Sequence, residues 1–349
     1  MARRLTLTLM AGAALAALAS GPALAQSKQL FFYNWSNYYP PDLLKKFEAE
    51  TGIAVTLDVY DSNETMLAKL QAGAAGYDVI VPSSYMLDIM IKQDMLLPLD
   101  KSKMPNFGNV SETFADPWFD PGRAYSAPYM WGTTGYSYDS AKVEGPIEES
   151  WAPFFDPEGP FAGKLALMND QVEVYDAAAY YLGIDKCTTD PKDAARILEL
   201  LEKQKPAVAL YNSDGTIERM IAGEVVAHMQ WNGAAHRTKE GLPTAVYVYP
   251  KEGITVFDDN FAIPKGAPNP ENAMTFINWM MDPENIAIAS NYTGYMNAID
   301  GSEAFLDPVL RDDPAVNMPA EYADRLRPTV NCPVEAIELR DRVWTRLRS

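Results

Sequence analysis

At 349 residues and 48% hydrophobic content, the chain is long enough for two domains with real cores and too apolar to be a disordered segment. A formal net charge of −18 disfavours nucleic acid and anionic membranes as partners and attracts cations at long range. The two cysteines are not clustered and neither has a histidine near it in sequence, so no zinc or haem centre, and no metal or cofactor, is expected.

The first 25 residues read as a secretory leader: Arg3 and Arg4, an apolar run from Leu5 to Ala19, a Ser20-Gly21-Pro22 break and an A-x-A signal at Ala23-Leu24-Ala25. Cleavage there would start the mature chain at Gln26, delete two arginines and move its net charge to −20. Ala2 and Leu5 fit the twin-arginine pattern poorly, so general secretion is expected. No cysteine follows the cleavage point to carry a lipid, and nothing later approaches the roughly 18 apolar residues of a spanning helix. A soluble periplasmic protein is the expectation. Cys187 and Cys332 could pair in that oxidising compartment, but their separation leaves the matter open.

The mature N-terminal part alternates strand and helix: LFFYN from Leu30, a helix from Asp42 to Glu50, VTLDVY from Val55, a helix from Asn63 to Ala72, and DVIVP from Asp78. That is a βαβαβ unit with a parallel sheet. Trp35 and Ser36 follow its first strand as Ser83, Ser84 and Tyr85 follow its third, so both loops should open on the carboxyl edge where such sheets bind ligands. A Pro- and Asn-rich surface connection spans Lys101 to Gly122, and YSAPYMWGTTGYSY then crosses into a second lobe near Thr133–Gly135.

The second lobe repeats the plan with strand KLALM, helices from Gln171 to Leu182 and Pro191 to Gln204, strand AVALY, a helix through Ile217 to Ala222, and strand VVAHMQW. TAVYVYP and ITVFDDNFAIP read as two further strands, the latter returning the chain to the first lobe near Phe257. Helices from Pro270 to Met281 and Pro283 to Tyr292 would close the first lobe, and one from Val334 to Arg348 would join the second. The expected lobes are 26–133 with 258–305, and 134–257 with 306–349.

Asp170 and Glu173 sit three apart at a helix start and share one face. They serve equally well as a helix cap complementing the dipole. Asp259 lies on the returning strand, two residues from Phe257, and Trp231 ends a strand where core packing is the alternative reading. Tyr295 alone reads as a surface tyrosine. Together Trp35, Tyr38, Tyr85, Trp231, Phe257 and Tyr295 could form an aromatic box around an aliphatic ammonium chain, with Asp170, Glu173 and Asp259 receiving its charged ends. His228 mid-strand and His236 on a helix read as core or surface residues, and no Walker loop, nucleophile elbow or calcium loop is present.

The ordered segments YNWSNYYPP, DSNETMLAKL, YDVIVPSSY, YSAPYMWG, SWAPFF, NDQVEVY, WNGAA, YPKEG and NFAIP resemble the periplasmic spermidine/putrescine-binding proteins of ABC importers, fading only after about Ala304. The resemblance implies a two-lobed type II periplasmic binding protein fold, α/β, with a hinge of crossing strands. It also implies a polyamine ligand, delivery to an inner-membrane ABC permease with its ATPase, action as a monomer, and no catalysis. It points to Trp35, Ser36, Tyr38, Ser83, Tyr85, Asp170, Glu173, Trp231, Asp259 and Tyr295 as ligand contacts. Three positions depart from it: Asn37 stands where relatives carry an acid, Phe257 where the spermidine binder has Trp, and Ala234 where the putrescine-preferring type has an acid. No C-terminal glutamine contact carries over, Val330 or Asn331 falling nearest. Another cationic or amine-bearing solute is the first alternative, and an exported glycosidase using paired carboxylates beside sugar-stacking tryptophans is the second.

Overall fold

A computed structural model describes residues 28–73 and 76–349; the expected leader and its cleavage point lie outside the described residues. Twelve strands form among them: β1 Gln29–Trp35, β2 Ala54–Tyr60, β3 Val79–Ile80, β4 Leu96–Leu97, β5 Ser126–Asp139, β6 Leu165–Leu167, β7 Val208–Tyr211, β8 Ala227–Trp231, β9 Ala245–Val248, β10 Ile254–Pro264, β11 Met296–Asn297 and β12 Leu326–Pro328. They join into one curled mixed sheet in the order β2-β1-β3-β10-β5-β8-β6-β7. Each end of that order is a parallel block, β2-β1-β3 and β8-β6-β7. The two long strands β5 and β10 run antiparallel to one another through the middle, from Thr134 opposite Thr255 to Ser126 opposite Ala262.

Alternation along β1 shows why the first parallel block is covered on both faces. Phe32 points one way, onto Phe276 at 5.0 Å between ring centroids, and Tyr33 points the other, against Tyr60 and Tyr77 at 4.7 and 4.3 Å. The first face is roofed by the helices Pro41–Thr51 and Pro270–Met280, which bury Phe47 and Phe276; the second by Asn63–Gln71 and Ser84–Lys92, which bury Met66, Met86 and Met90. A separate core gathers Tyr136, Trp151, Phe154 and Phe161 with Val174, Ile197 and Leu347 from the helices Gln171–Leu182, Pro191–Gln204 and Val334–Arg348.

Helix ends follow their local chemistry. Proline occupies an early position of Pro41–Thr51, where its missing donor costs nothing, and Gly52 ends that helix at φ 72°, in the left-handed region. The expected helices are found within one or two residues of their read boundaries, but the third strand and the loop expected after it need correction. Only Val79–Ile80 pair as β3, and Ser84–Lys92 is a helix, so Tyr85 stands in a first helical turn and not in a loop. That helix buries Met86, Leu87, Asp88 and Met90, which leaves it without the polar stripe that marks a surface helix.

The chain's last part crosses the middle of the molecule again. β12 pairs in parallel with β10 over Ile254–Val256, and Cys332, just beyond it, is disulfide-bonded to Cys187 with their Cα atoms 5.1 Å apart. The segment in between carries Thr329, whose hydroxyl meets that of Ser84 at 2.7 Å.

Candidate functional site

The carboxyl ends of both parallel blocks converge on one cavity. Trp35, Ser36 and Tyr38 enter from the end of β1, and Ser83 and Tyr85 from beyond β3. Asp170 and Glu173 come from the turn after β6, and Trp231 from the end of β8. Phe257 and Asp259, two apart on β10 and therefore on one face, come from the crossing strand, while Tyr295 follows the helix Pro283–Thr293. All eleven residues singled out from the sequence thus line a single cavity.

Its acids are buried: Asp259 is 5% exposed, Asp170 4% and Glu173 7%. No lysine or arginine among the described residues forms an ion pair with any of the three. Asp259 accepts from Ser83 Oγ at 2.6 Å, and burial pushes its carboxyl up to about 7. Ser83 is in turn held by Asn63, whose amide donates to Ser83 Oγ and Tyr85 Oη, each at 3.1 Å. Asp170 does cap its helix, accepting from the Val172 and Glu173 amides at 2.9 and 3.2 Å, and it faces the cavity as well. Burial, reinforced by the nearby Glu64, brings it also to about 7. Glu173 accepts from Thr134 Oγ1 at 2.9 Å, and burial with Asp170 beside it holds its carboxyl well above the usual range. Glu173 Oε2 is buried without a protein partner, and the buried Tyr38 hydroxyl faces the Asp259 carboxylate.

Rings enclose the rest. Trp35, fixed by its indole N–H donating to Val81 O at 2.8 Å, meets Trp231 edge to face at 6.2 Å. Tyr295 stands edge-on to Tyr38 at 5.2 Å and to Phe257 at 5.9 Å. Its ring packs on Gly233 so closely that a Cβ there would lie 2.6 Å from it, which requires glycine at this position of the helix Asn232–Gly241. Buried acceptors between aromatic faces suit an elongated cation: methylenes against rings, ammonium groups at carboxylates.

Several wall residues escaped the sequence reading: Asn63, Asp214, Thr216, Arg237 and Thr329. Asp214 and Thr216 follow β7, the same carboxyl edge that gave away the other loops, so strand direction alone would have found them. Arg237 lies three positions after Ala234 on one helix, hence on the same face. Val330 and Asn331 are not in the wall; Thr329 is, while Asn331 Nδ2 donates to Asp88 at 2.6 Å. The histidines are tied elsewhere. His228 is fully buried between Arg219 and the Met229 carbonyl, and burial holds it down to about 3, whereas His236 pairs with Asp313 at 2.7 Å.

Residues 42–320 match the family model described as bacterial extracellular solute-binding protein. The chain is 39% identical over 307 residues to the spermidine/putrescine-binding periplasmic protein of Salmonella typhimurium, covering 87% of each chain. It is 34% identical over 366 residues to the putrescine-binding periplasmic protein SpuD of Pseudomonas aeruginosa, covering both in full. Among solved structures, it is similar to the spermidine/putrescine ABC transporter substrate-binding protein PotD of Streptococcus pneumoniae, with a TM-score of 0.75 and 30% identity over 92% of this chain and 99% of that one. A two-lobed α/β architecture, a carboxyl-edge cavity and these relatives agree: the chain belongs to the family of bacterial extracellular solute-binding proteins.

Proposed function

We propose that the protein captures a polyamine, spermidine and/or putrescine, between its lobes in the periplasm and delivers it to an inner-membrane ABC permease with its ATPase. The observation that carries this reading is the set of three buried carboxylates, Asp170, Glu173 and Asp259, that line an aromatic cavity with no basic side chain paired to them among the described residues. A cationic ligand supplies the missing charge, and each charge-assisted hydrogen bond then contributes about 1.5–3 kcal/mol. The printed names of the relatives support the same ligand class and the periplasmic address.

In this reading the carboxylates are counter-ions and no bond is made or broken. The leader ends at Ala25 and the mature protein acts as a monomer. The lobes are 26–133 with 258–305 and 134–257 with 306–349, so that Asp259 belongs to one and Asp170 with Glu173 to the other. Closure is then favoured only when one ligand reaches acids of both. Core membership supports the division, Phe261 packing with Leu30 and Phe47 and Tyr136 packing with Trp151, although Phe257, at the crossing, joins the first of these cores.

The test is a thermal-shift screen of the purified mature protein with putrescine, spermidine, spermine, cadaverine, agmatine and neutral sugars, followed by calorimetry. A raised melting temperature with at least one amine and none with the sugars is expected. Stabilisation by sugars alone would reject the reading.

A further inference from the structure

Two further acids belong to the cavity wall. Asp61 stands immediately past the end of β2, and Asp214 just past the end of β7. β2 and β7 lie at opposite ends of the sheet order, so the curl of the sheet brings its two outermost carboxyl edges to one opening. Asp170, Glu173 and Asp259 are buried, whereas Asp61 is half-buried and Asp214 exposed, which places this second pair on the solvent side of the first three. In the proposed division Asp61 belongs to one lobe and Asp214 to the other.

Neither acid has a positive partner among the described residues. The Asp61 carboxylate accepts from Thr65 Oγ1 at 3.0 Å and, across the cleft, from Asn169 Nδ2 at 3.3 Å. Asp214 is bonded only through its backbone, to Asn212 and Arg219. Arg237, the one basic residue of the wall among the described residues, pairs with neither. Its guanidinium lies 4.9 Å from the Tyr292 ring centroid, and its Nη1 reaches the backbone oxygen of Asn37 at 3.4 Å. Five carboxylates against one guanidinium thus leave the wall with four negative charges in excess when all are ionised.

Rings connect the two sets of acids. Trp35 meets Trp231 at 6.2 Å on one side and, on the other, Tyr60, the residue before Asp61, at 4.8 Å. A methylene chain laid along these faces leads from the buried acids toward the opening. At the inner end, Glu173 Oε2 is a buried acceptor that no protein group satisfies, so the cavity is built to receive donors from outside the chain.

Resting on the reading of the cavity as an amine site, we propose that Asp61 and Asp214 form an outer subsite for the distal ammonium of a triamine, and so select an amine of three charges over one of two. A diamine that bridges Asp259 to Asp170 and Glu173 leaves the outer pair to water. A third ammonium carried outward over Trp35 and Tyr60 gains two carboxylates, one from each lobe, and adds a second bridge across the cleft. Because the outer acids are partly solvated, the gain is smaller than at the buried ones.

The experiment is calorimetry of the mature protein with putrescine, spermidine and N-propylputrescine, which keeps the carbon chains of spermidine and lacks one terminal ammonium. The wild type should bind spermidine at least about fivefold more tightly than either diamine, and the double substitution Asp61→Asn, Asp214→Asn should lower that ratio by at least about fivefold. Asp214→Asn alone removes no side-chain bond of the fold and should shift the ratio in the same direction, which keeps the test open if the double variant does not fold. A wild type that binds either diamine as tightly as spermidine, or a ratio that the substitutions leave unchanged, overturns the proposal. Asp259→Asn separates the two levels: it should weaken all three amines, and if it weakens none, the amine-site reading itself has failed.

Discussion

Asp258 and Asp259 are neighbours on one strand, and the pleat sends them to opposite faces of it. Asp258 faces inward structure. Asn260 Nδ2 donates to its carboxylate at 3.0 Å, and the fully buried Arg123 supplies its positive neighbour, itself bonded to Asn260 Oδ1 at 2.5 Å and drawn down to about 10 by burial. Asp259 faces the cavity, with a serine hydroxyl and no cation. One carboxylate has its counter-charge built into the chain, and the other is left to find it in a ligand. The contrast shows what separates a structural acid from a binding one, since hydrogen bonding is common to both and a neighbouring positive charge is not.

The sharpest way to break this contrast is Asp259→Ala. It should weaken polyamine binding by about 2–5 kcal/mol, the scale for removing one member of a buried charge pair, while leaving the melting temperature of the free protein unchanged or higher. Calorimetry and a thermal melt read the two halves, and an unchanged dissociation constant would sink the assignment. Asp258→Ala should do the reverse. Loss of its hydrogen bond and of the charge facing Arg123 should cost about 1–3 kcal/mol of folding stability by denaturant titration, with affinity altered less than about threefold.

A smaller effect comes from pH. Asp170 and Asp259 stand at about 7 in the folded protein against roughly 4 when unfolded. Between those values the folded state binds more protons than the unfolded one, so the free protein loses stability as pH rises from about 4 to about 7. Cation binding requires the ionised acids and runs the opposite way, weakening by about fiftyfold for each acid that must ionise as pH falls from 7 to 5. Parallel melting and binding curves over that range would contradict the contrast, and divergent ones would sharpen it.

Much of the fold could be read from the sequence because its signals are local. Proline before Asp42, Asp170 ahead of an apolar helix and glycines at 52 and 183 mark ends without reference to anything distant. Ser84–Lys92 escaped because it is packed on nearly every side and no cap hydrogen bond marks its start. The site residues were legible where loops follow parallel strands and where the ordered motifs fall. Asn63 and Arg237 were not, since each acts through a partner far along the chain, Ser83 and Asn37 respectively. Whether Cys187 and Cys332 meet is a matter of tertiary path, which spacing alone does not encode.

That covalent link bears on how the protein matures. The residues from β12 to Cys332 run past the cavity wall, paired along β10 over Leu326–Pro328, before the bond to Cys187. Synthesis in a reducing cytosol would leave this stretch held only by hydrogen bonds, Thr329 to Ser84 and Asn331 to Asp88, and by the packed helix beyond it. Export to a thiol-oxidising compartment is thus part of assembling a competent receptor, and material recovered from reducing expression hosts should regain full affinity only after air oxidation.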